Sequence, residues 1–291
     1  MRRESRSSRR SCIVRESLDL TSRPAIFIRG TLSLLRRVLI VRKRTFVTLA
    51  ISLLIAYFSF MTTYGTTPFE VYAVRYGTSN FRSEFVYDGD RTRRILPFSW
   101  MYYAVKCGRK IILIDTGFSD KKNARIFGVK FTDPTGELVA IGIRPENVTD
   151  IILTHAHFDH AGDISRYKNA RVFTQISDLK TIRDIVNDDS RVIPFDNALD
   201  IDDAIHIEHV GGHTKSSSVV WITLPGKKLL LTGDEAYMRD NITRAIPIGS
   251  RYDVEKNRAF LERARDSGTE CYTFHDPSIV TGENNVIRIY P

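Results

Sequence analysis

The chain reads Thr154-His155-Ala156-His157-Phe158-Asp159-His160 immediately after the apolar run Ile151-Ile152-Leu153. Three imidazoles and one carboxylate thus lie within six consecutive positions. These groups hold Zn²⁺ at about 2.0–2.2 Å, and the same ligands accept Fe, Co or Mn. A lone loop histidine is usually a turn residue or a solvated side chain, but this density has no ordinary structural purpose. The motif predicts a metal site, and its spacing is short enough to direct alternate side chains at two neighbouring ions.

Three later segments supply further candidate ligands, each directly after a strand-like run. They contain Gly212-His213, Gly233-Asp234 and Phe274-His275. Junctions between strand and loop are where a sheet scaffold exposes functional groups. The remaining histidines, His206 and His209, lie inside an alternating strand-like run, and we exclude them from the predicted site.

This ordered set of motifs resembles that of the metallo-β-lactamase-fold hydrolases, over about residues 68–291. The resemblance implies an α/β protein with a four-layer αββα sandwich. It also implies a ligand set: the first metal on His155, His157 and His213, the second on Asp159, His160 and His275, and Asp234 as the bridge. Glu replaces the residue equivalent to His157 in the flavodiiron relatives, so the sequence favours hydrolysis over iron redox chemistry.

Asp115 follows a strand-like run and matches the family's early Asp, which supports the ligands without being one of them. An Asp-Thr-Gly sequence after a strand is also a common turn, and both interpretations of Asp115 remain open.

Tyr237 lies three residues after Asp234, as in the N-acyl homoserine lactone lactonases that this segment resembles. A neutral phenol is suited to donate a hydrogen bond to a developing oxyanion, although Tyr237 could equally be a core aromatic on a helix that begins near Asp234. One departure weakens the match. Lactonases read Gly-His-Thr-Pro-Gly-His where this chain reads Gly212-His213-Thr214-Lys215-Ser216-Ser217.

The resemblance implies a zinc-dependent hydrolase with two Zn²⁺ ions, whose bridging hydroxide opens an ester or lactone ring, with N-acyl homoserine lactones as the expected substrates. Asp159 would pass a proton to the leaving oxygen. Two alternatives remain open. The first is another hydrolase of this fold, acting on an ester, a β-lactam or a phosphodiester. The second is a metal-binding membrane protein of this fold without catalytic activity.

Charge divides the 291-residue chain, whose formal net charge is +9. Residues 1–44 contain thirteen Lys or Arg and three acids, so the remainder is nearly neutral. We interpret residues 1–44 as a basic, partly disordered cytoplasmic tail. A nearly neutral catalytic region argues against nucleic acid as a partner, because phosphate binding needs a basic surface on the domain itself.

Residues 45–64 contain no charged side chain and are strongly apolar. About 20 apolar residues suffice to cross a bilayer, and Arg42-Lys43-Arg44 precede the span. We therefore predict a single-pass transmembrane anchor in contact with membrane lipid. By the positive-inside rule the N-terminus is cytoplasmic and the hydrolase domain of residues 68–291 is periplasmic. Whether the anchor is cleaved stays open.

The pattern beyond residue 69 alternates strand-like and helix-like blocks. It predicts strands over 70–75, 99–107, 110–115, 150–154, 170–174, 204–210, 218–224, 228–232 and 270–274, and helices over 136–142, 177–186 and 254–266. Segment 117–136 is interpreted as a lid or substrate loop. Cys107 and Cys271 could form a disulfide or be small buried hydrophobic residues.

Overall fold

The computed structural model describes residues 47–49, 51–54 and 69–291. The predicted basic tail lies outside the described residues, as does most of the predicted span over 45–64. Residues 47–49 and 51–54 are helical, with exposed side chains. Within the described ranges, no helix is both long and apolar enough to cross a bilayer.

Two β-sheets form the centre of residues 69–291. The first sheet has the order β13-β1-β2-β3-β5-β6-β7, with β4 paired to β1. Its strands are β1 (Phe69–Arg82), β2 (Ile95–Cys107), β3 (Lys110–Ile114), β4 (Lys130–Phe131), β5 (Asp150–Ile152), β6 (Arg171–Gln175), β7 (Val192–Phe195) and β13 (Val286–Tyr290). The second sheet has the order β12-β11-β10-β9-β8. Its strands are β8 (Ala198–Asp200), β9 (Ile205–His209), β10 (Ser218–Leu224), β11 (Lys227–Leu231) and β12 (Glu270–Tyr272).

Seven α-helices accompany these sheets within residues 69–291. They are α1 (Ser83–Val86), α2 (Lys121–Ile126), α3 (Pro134–Ala140), α4 (Phe158–Ala161), α5 (Leu179–Val186), α6 (Arg239–Thr243) and α7 (Val254–Asp266). Asp253 begins α7 by accepting hydrogen bonds from the backbone N–H groups of Glu255 and Lys256, both at 3.1 Å. This satisfies donors that the first helical turn leaves without a partner.

Alternation of apolar side chains along the strands builds a layered core. In β3, Ile112 and Ile114 point to the space between the two sheets, whereas Leu113 packs toward Leu138 of α3 and the outer face. In β11, Leu230 packs in the same way on the opposite side, against Phe260 of α7. Each central strand is therefore buried on both faces, which gives the order helix, sheet, sheet, helix. The predicted α/β architecture is confirmed.

The longest difference from the predicted strands is in β1, which continues to Arg82 rather than ending at residue 75. Its register against β2 shifts between Arg75 and Gly77, so the alternating pattern changes phase there and hides the continuation. Gly77 is required at this bulge, because a Cβ would lie 2.7 Å from Val129 Cγ1. Segment 117–136, predicted as a loop, contains α2, β4 and the start of α3.

Candidate metal centre

The predicted site residues lie just beyond the carboxyl ends of five strands. Asp115 follows β3, residues 154–160 follow β5, and His213, Asp234 and His275 follow β9, β11 and β12 respectively. Strands β3 and β5 are parallel, as are β11 and β12. Parallel neighbours end at the same edge of a sheet, so the fold brings residues that are distant in sequence to one end of the sandwich.

The seven predicted ligands form two groups that share one carboxylate. The first is His155, His157, His213 and Asp234, and the second is Asp159, His160, Asp234 and His275. Within each group one possible ligand atom per residue lies within 4.8 Å of all the others. His157 is exposed, while the other six are buried. His206 and His209 are outside both groups.

Asp234 divides its two oxygens between the groups. Oδ1 lies 3.0 Å from Nε2 of His160 and 3.0 Å from Nε2 of His275. Oδ2 lies 3.4 Å from Nε2 of His213 and 3.8 Å from Nε2 of His155. A carboxylate with one oxygen in each cluster has the geometry of a bridging ligand.

Hydrogen bonds behind the rings decide which imidazole nitrogen is free. Nδ1 of His213 lies 2.8 Å from the carbonyl oxygen of Ser250, and Nδ1 of His275 lies 2.8 Å from that of Ser99. A carbonyl oxygen only accepts, so Nδ1 donates in both rings. In the neutral ring Nε2 then presents its lone pair to the cluster, which is how proteins orient histidines toward metals.

Asp115 performs the same function for His160. Oδ2 of Asp115 lies 2.6 Å from Nδ1 of His160, and the carboxylate accepts from the N–H and the hydroxyl of Thr154, both at 2.8 Å. Asp115 is fully buried and has a φ of 65°, a left-handed conformation. Of the two sequence interpretations, the structure favours support of the site over a simple turn. Strain of this kind persists where surrounding contacts demand it.

Two buried nitrogens show that the cluster fits a cation. Nε2 of His155 and Nε2 of His160 are buried without a hydrogen-bond partner in the described residues. Nδ1 of His157 and Nε2 of His213 face one another at 3.2 Å. Buried polar atoms without partners cost free energy, and a metal ion between such nitrogens removes this cost. The imidazole and carboxylate donors match Zn²⁺ and its neighbours.

The electrostatics of the cluster also favour a cation. Burial lowers the pKa of His155, and the neighbouring His160 lowers it further, so His155 is a neutral ligand. Burial opposes ionisation of Asp234, but the surrounding His160 and His275 hold its pKa well below the usual range. Against the effect of burial, Asp234 and Asp159 raise the pKa of His160. The carboxylates thus attract positive charge to this space.

Tyr237 lies beside this centre, in a bend between a short 3-10 turn (Gly233–Glu235) and α6 rather than on a helix. Its hydroxyl is 3.5 Å from Nδ1 of His213, and its ring packs at 5.3 Å from the ring of His275. Burial raises the pKa of Tyr237, as do Asp234 and Asp159, so the phenol is neutral at pH 7. The side chain thus packs as a core aromatic and places its hydroxyl at the edge of the site.

A cavity of about 320 Å³ opens onto the centre. Its lining includes His157, Asp159 and Tyr237, and an aromatic wall formed by Phe81, Phe98, Trp100, Phe127 and Phe158. This aromatic wall was not predicted from the sequence. Three of its residues, Phe81, Phe98 and Trp100, lie on strands β1 and β2. Their aromatic character is evident in the sequence, but they are far from the histidine motif along the chain. Nothing local to them therefore indicated that they line the same site.

Glu235, which directly follows the bridging Asp234, was also missed. It is fully buried and accepts hydrogen bonds from the backbone N–H groups of Gly212 and His213 at 2.8 and 3.0 Å. A Gly-Asp-Glu sequence alone gives no signal for this long-range contact. Cys107 and Cys271 are free thiols.

Comparison with known proteins identifies the family of this site. The family model described as "Metallo-beta-lactamase superfamily" matches residues 97–273. The chain belongs to the metallo-beta-lactamase superfamily. It is a metal-dependent hydrolase of that superfamily, as the sequence predicted.

The chain is also similar to proteins named as lactonases or lactone hydrolases. An N-acyl homoserine lactonase of Bacillus sp is 25% identical over 186 residues, which cover 53% of this chain and 70% of the relative. A solved N-acyl homoserine lactone hydrolase, with N-hexanoyl-L-homoserine at its catalytic metal centre, is 18% identical with a TM-score of 0.64, covering 72% of this chain and 94% of that one. A dizinc quorum-quenching lactonase, AidC, is 17% identical with a TM-score of 0.59, covering 78% and 95%.

Proposed function

We propose that this hydrolase holds two zinc ions and opens the ring of a lactone, with N-acyl homoserine lactones as the substrate class. One observation carries the proposal: the carboxylate of Asp234 lies between two imidazole clusters at the floor of an aromatic cavity. His155, His157 and His213 would hold one ion, and Asp159, His160 and His275 the other. When bound, such a pair of ions lowers the pKa of water and polarises a carbonyl group.

The aromatic wall suits the acyl part of such a substrate. Phe98 stacks on the ring of His275 at 4.2 Å, and Trp100 and Phe158 lie 6.2 Å apart, so the apolar surface extends outward from the cluster. Ligand cavities usually combine an apolar lining with a few polar groups that fix orientation. None of the described lining residues is Lys or Arg. A phosphodiester would lack a positively charged side chain there, and the lining favours an uncharged ester.

Two side chains of the cavity are suited to move or hold protons. The neutral phenol of Tyr237 donates a hydrogen bond to the carbonyl oxygen as negative charge develops on it. Burial opposes ionisation of Asp159, but His160 lowers its pKa, so this carboxylate is ionised and able to accept a proton from the water that attacks the carbonyl carbon. Asp159 then returns that proton to the departing alkoxide oxygen. The product is a ring-opened hydroxy acid.

A direct test supplies the full chain, loaded with zinc, with N-hexanoyl homoserine lactone and follows acid release with a pH indicator. We expect turnover that a chelator abolishes and zinc restores. Parallel assays with a β-lactam, a simple aryl ester and a phosphodiester distinguish the other hydrolases of this fold. Turnover of one of these, and none of the lactone, would overturn the lactonase assignment. Bound zinc without turnover of any of them would favour a binding protein.

We also propose that residues 45–64 anchor the chain in a membrane, with the hydrolase domain on the periplasmic side. The uncharged composition of the span and the preceding basic residues support this. Membrane fractionation, followed by protease treatment of intact and of permeabilised cells, tests it. We expect the domain to be in the membrane fraction. We also expect the protease to digest it as soon as the outer membrane, and not the inner membrane, is permeabilised. Recovery in the soluble cytoplasmic fraction would contradict the proposal.

A further inference from the structure

Glu235 is a buried carboxylate bound entirely by neutral donors. Its Oε1 accepts from the N–H groups of Gly212 and His213 and from the hydroxyl of Ser217 at 2.5 Å. Its Oε2 accepts from the side-chain amide of Asn257 at 2.7 Å. Four such bonds make Glu235 a rigid connection between three parts of the fold.

This connection joins two candidate metal ligands. Glu235 is covalently linked to Asp234 and hydrogen-bonded to the backbone of His213, so one side chain spans from one ligand to the other. Oδ2 of Asp234 lies 3.4 Å from Nε2 of His213. A change in the length or direction of the Glu235 side chain would therefore move His213 relative to Asp234.

The Glu235 side chain also packs directly against the backbone of the loop that carries Gly212 and His213. A Cβ on Gly212 would lie 2.3 Å from Oε2 of Glu235, so the loop approaches the carboxylate as closely as only glycine allows. The loop continues with Lys215-Ser216-Ser217 and has no Pro-Gly turn. In its place, the hydroxyl of Ser217 accepts from the N–H of Thr214 at 3.0 Å and binds Glu235.

We propose that Glu235 is a positioning residue that holds His213 against Asp234 and thereby sets the affinity of the metal position formed with His155 and His157. In this chain a buried carboxylate and a serine hydroxyl take the place of a rigid turn. The inference rests on the proposed two-metal function and deepens it, because it names a residue that sets the affinity of one of the two metal positions.

Glutamine is the informative substitution, because it keeps the shape and removes one acceptor. If the amide nitrogen of the glutamine faces Asn257, it meets the side-chain amide nitrogen of Asn257, and both groups are donors. If it faces the loop, it opposes the N–H groups of Gly212 and His213. No orientation satisfies all four donors, so the loop must shift. Changes to residues that orient metal ligands typically weaken metal binding about 10- to 100-fold.

The experiment compares zinc binding to the full chain and to Glu235→Gln by competition with a chelating indicator. We expect one of the two zinc ions to bind about 10- to 100-fold more weakly in the variant, and the other to bind unchanged. Glu137→Gln is the matched control, since Glu137 also accepts from an asparagine amide, that of Asn285 at 2.9 Å, away from the cluster. The control should retain both ions.

Two further measurements separate positioning from general damage to the fold. In a His213→Ala background, Glu235→Gln should weaken zinc binding no further, because its effect passes through His213. In the metal-free protein, hydrogen exchange at the amides of Gly212 and His213 should accelerate in Glu235→Gln and not in Glu137→Gln. Ser217→Ala, which removes one of the four donors, gives a milder version if the glutamine variant folds poorly.

The outcomes distinguish this inference from the proposed function. If the unaltered chain binds no metal, both fail. If it binds two zinc ions and Glu235→Gln binds them as tightly as Glu137→Gln does, only the role of Glu235 is overturned. An equal additional loss in the His213→Ala background would also overturn it, because Glu235 would then act by another route.

Discussion

Replacing Asp115 with asparagine should weaken metal binding at the position of His160 while leaving the backbone in place. Asparagine tolerates the left-handed conformation that Asp115 adopts at a φ of 65°. The amide oxygen can still accept from the N–H of Thr154, but its nitrogen then faces Nδ1 of His160, where the carboxylate oxygen lies at 2.6 Å. Two donors oppose each other unless His160 changes its tautomer.

Either response weakens the site. If His160 keeps its proton on Nδ1, it loses a hydrogen bond to a charged group, worth about 1.5–3 kcal/mol. If the proton moves to Nε2, it occupies the nitrogen that lies 3.0 Å from Oδ1 of Asp234 and must be lost before a metal binds. A loss of about 10- to 100-fold in affinity corresponds to about 1.4–2.7 kcal/mol, which agrees with the first value.

Zinc titration against a chelating indicator measures this loss, and Asp163→Asn is the control. Asp163 is also a buried aspartate, 5% exposed, but its carboxylate binds the hydroxyl of Ser119 at 2.8 Å rather than an imidazole. The control should bind two zinc ions like the unaltered chain. If Asp115→Asn binds both ions as tightly as Asp163→Asn does, the orientation of His160 by Asp115 is refuted.

Three further predictions concern other parts of the fold. Tyr237→Phe should keep its full metal content and lose about 100-fold or more in kcat for lactone opening; unchanged kcat would leave the phenol with packing alone. Gly212→Ala should lower the Tm by about 2–10 °C, because of the 2.3 Å contact with Glu235, whereas Gly136→Ala should not, since the nearest atom to its Cβ is 3.7 Å away. Burial raises the pKa of the Cys271 thiol to about 11, so alkylation should quicken about tenfold per pH unit from pH 8 to 10; a rate independent of pH would contradict this.

The candidate ligands could be found from the sequence because they follow strands in a local, recognisable order. Four of them lie within one six-residue motif, and each of the other three follows the end of a strand-like run. The fold then needs only to bring strand ends together, which parallel pairing of β3 with β5 and of β11 with β12 ensures.

Features that depend on tertiary contacts could not be found in the same way. Glu235 acts through Gly212 and Asn257, each 22 or 23 residues away. His209 was excluded as a ligand. Its Nε2 lies 2.9 Å from the carbonyl oxygen of Lys215, so this contact stabilises the loop that carries His213. Strand β13, the last strand of the domain, pairs with β1, the first, so nearly the whole sequence of the domain separates the two partners. No short segment reveals these partners.

The proposed function requires that the two clusters around Asp234 each hold one cation. Elemental analysis of the full chain, purified without chelator and supplied with excess zinc before gel filtration, tests this directly. We expect two equivalents of zinc for each chain. A folded protein that retains none after gel filtration would contradict it.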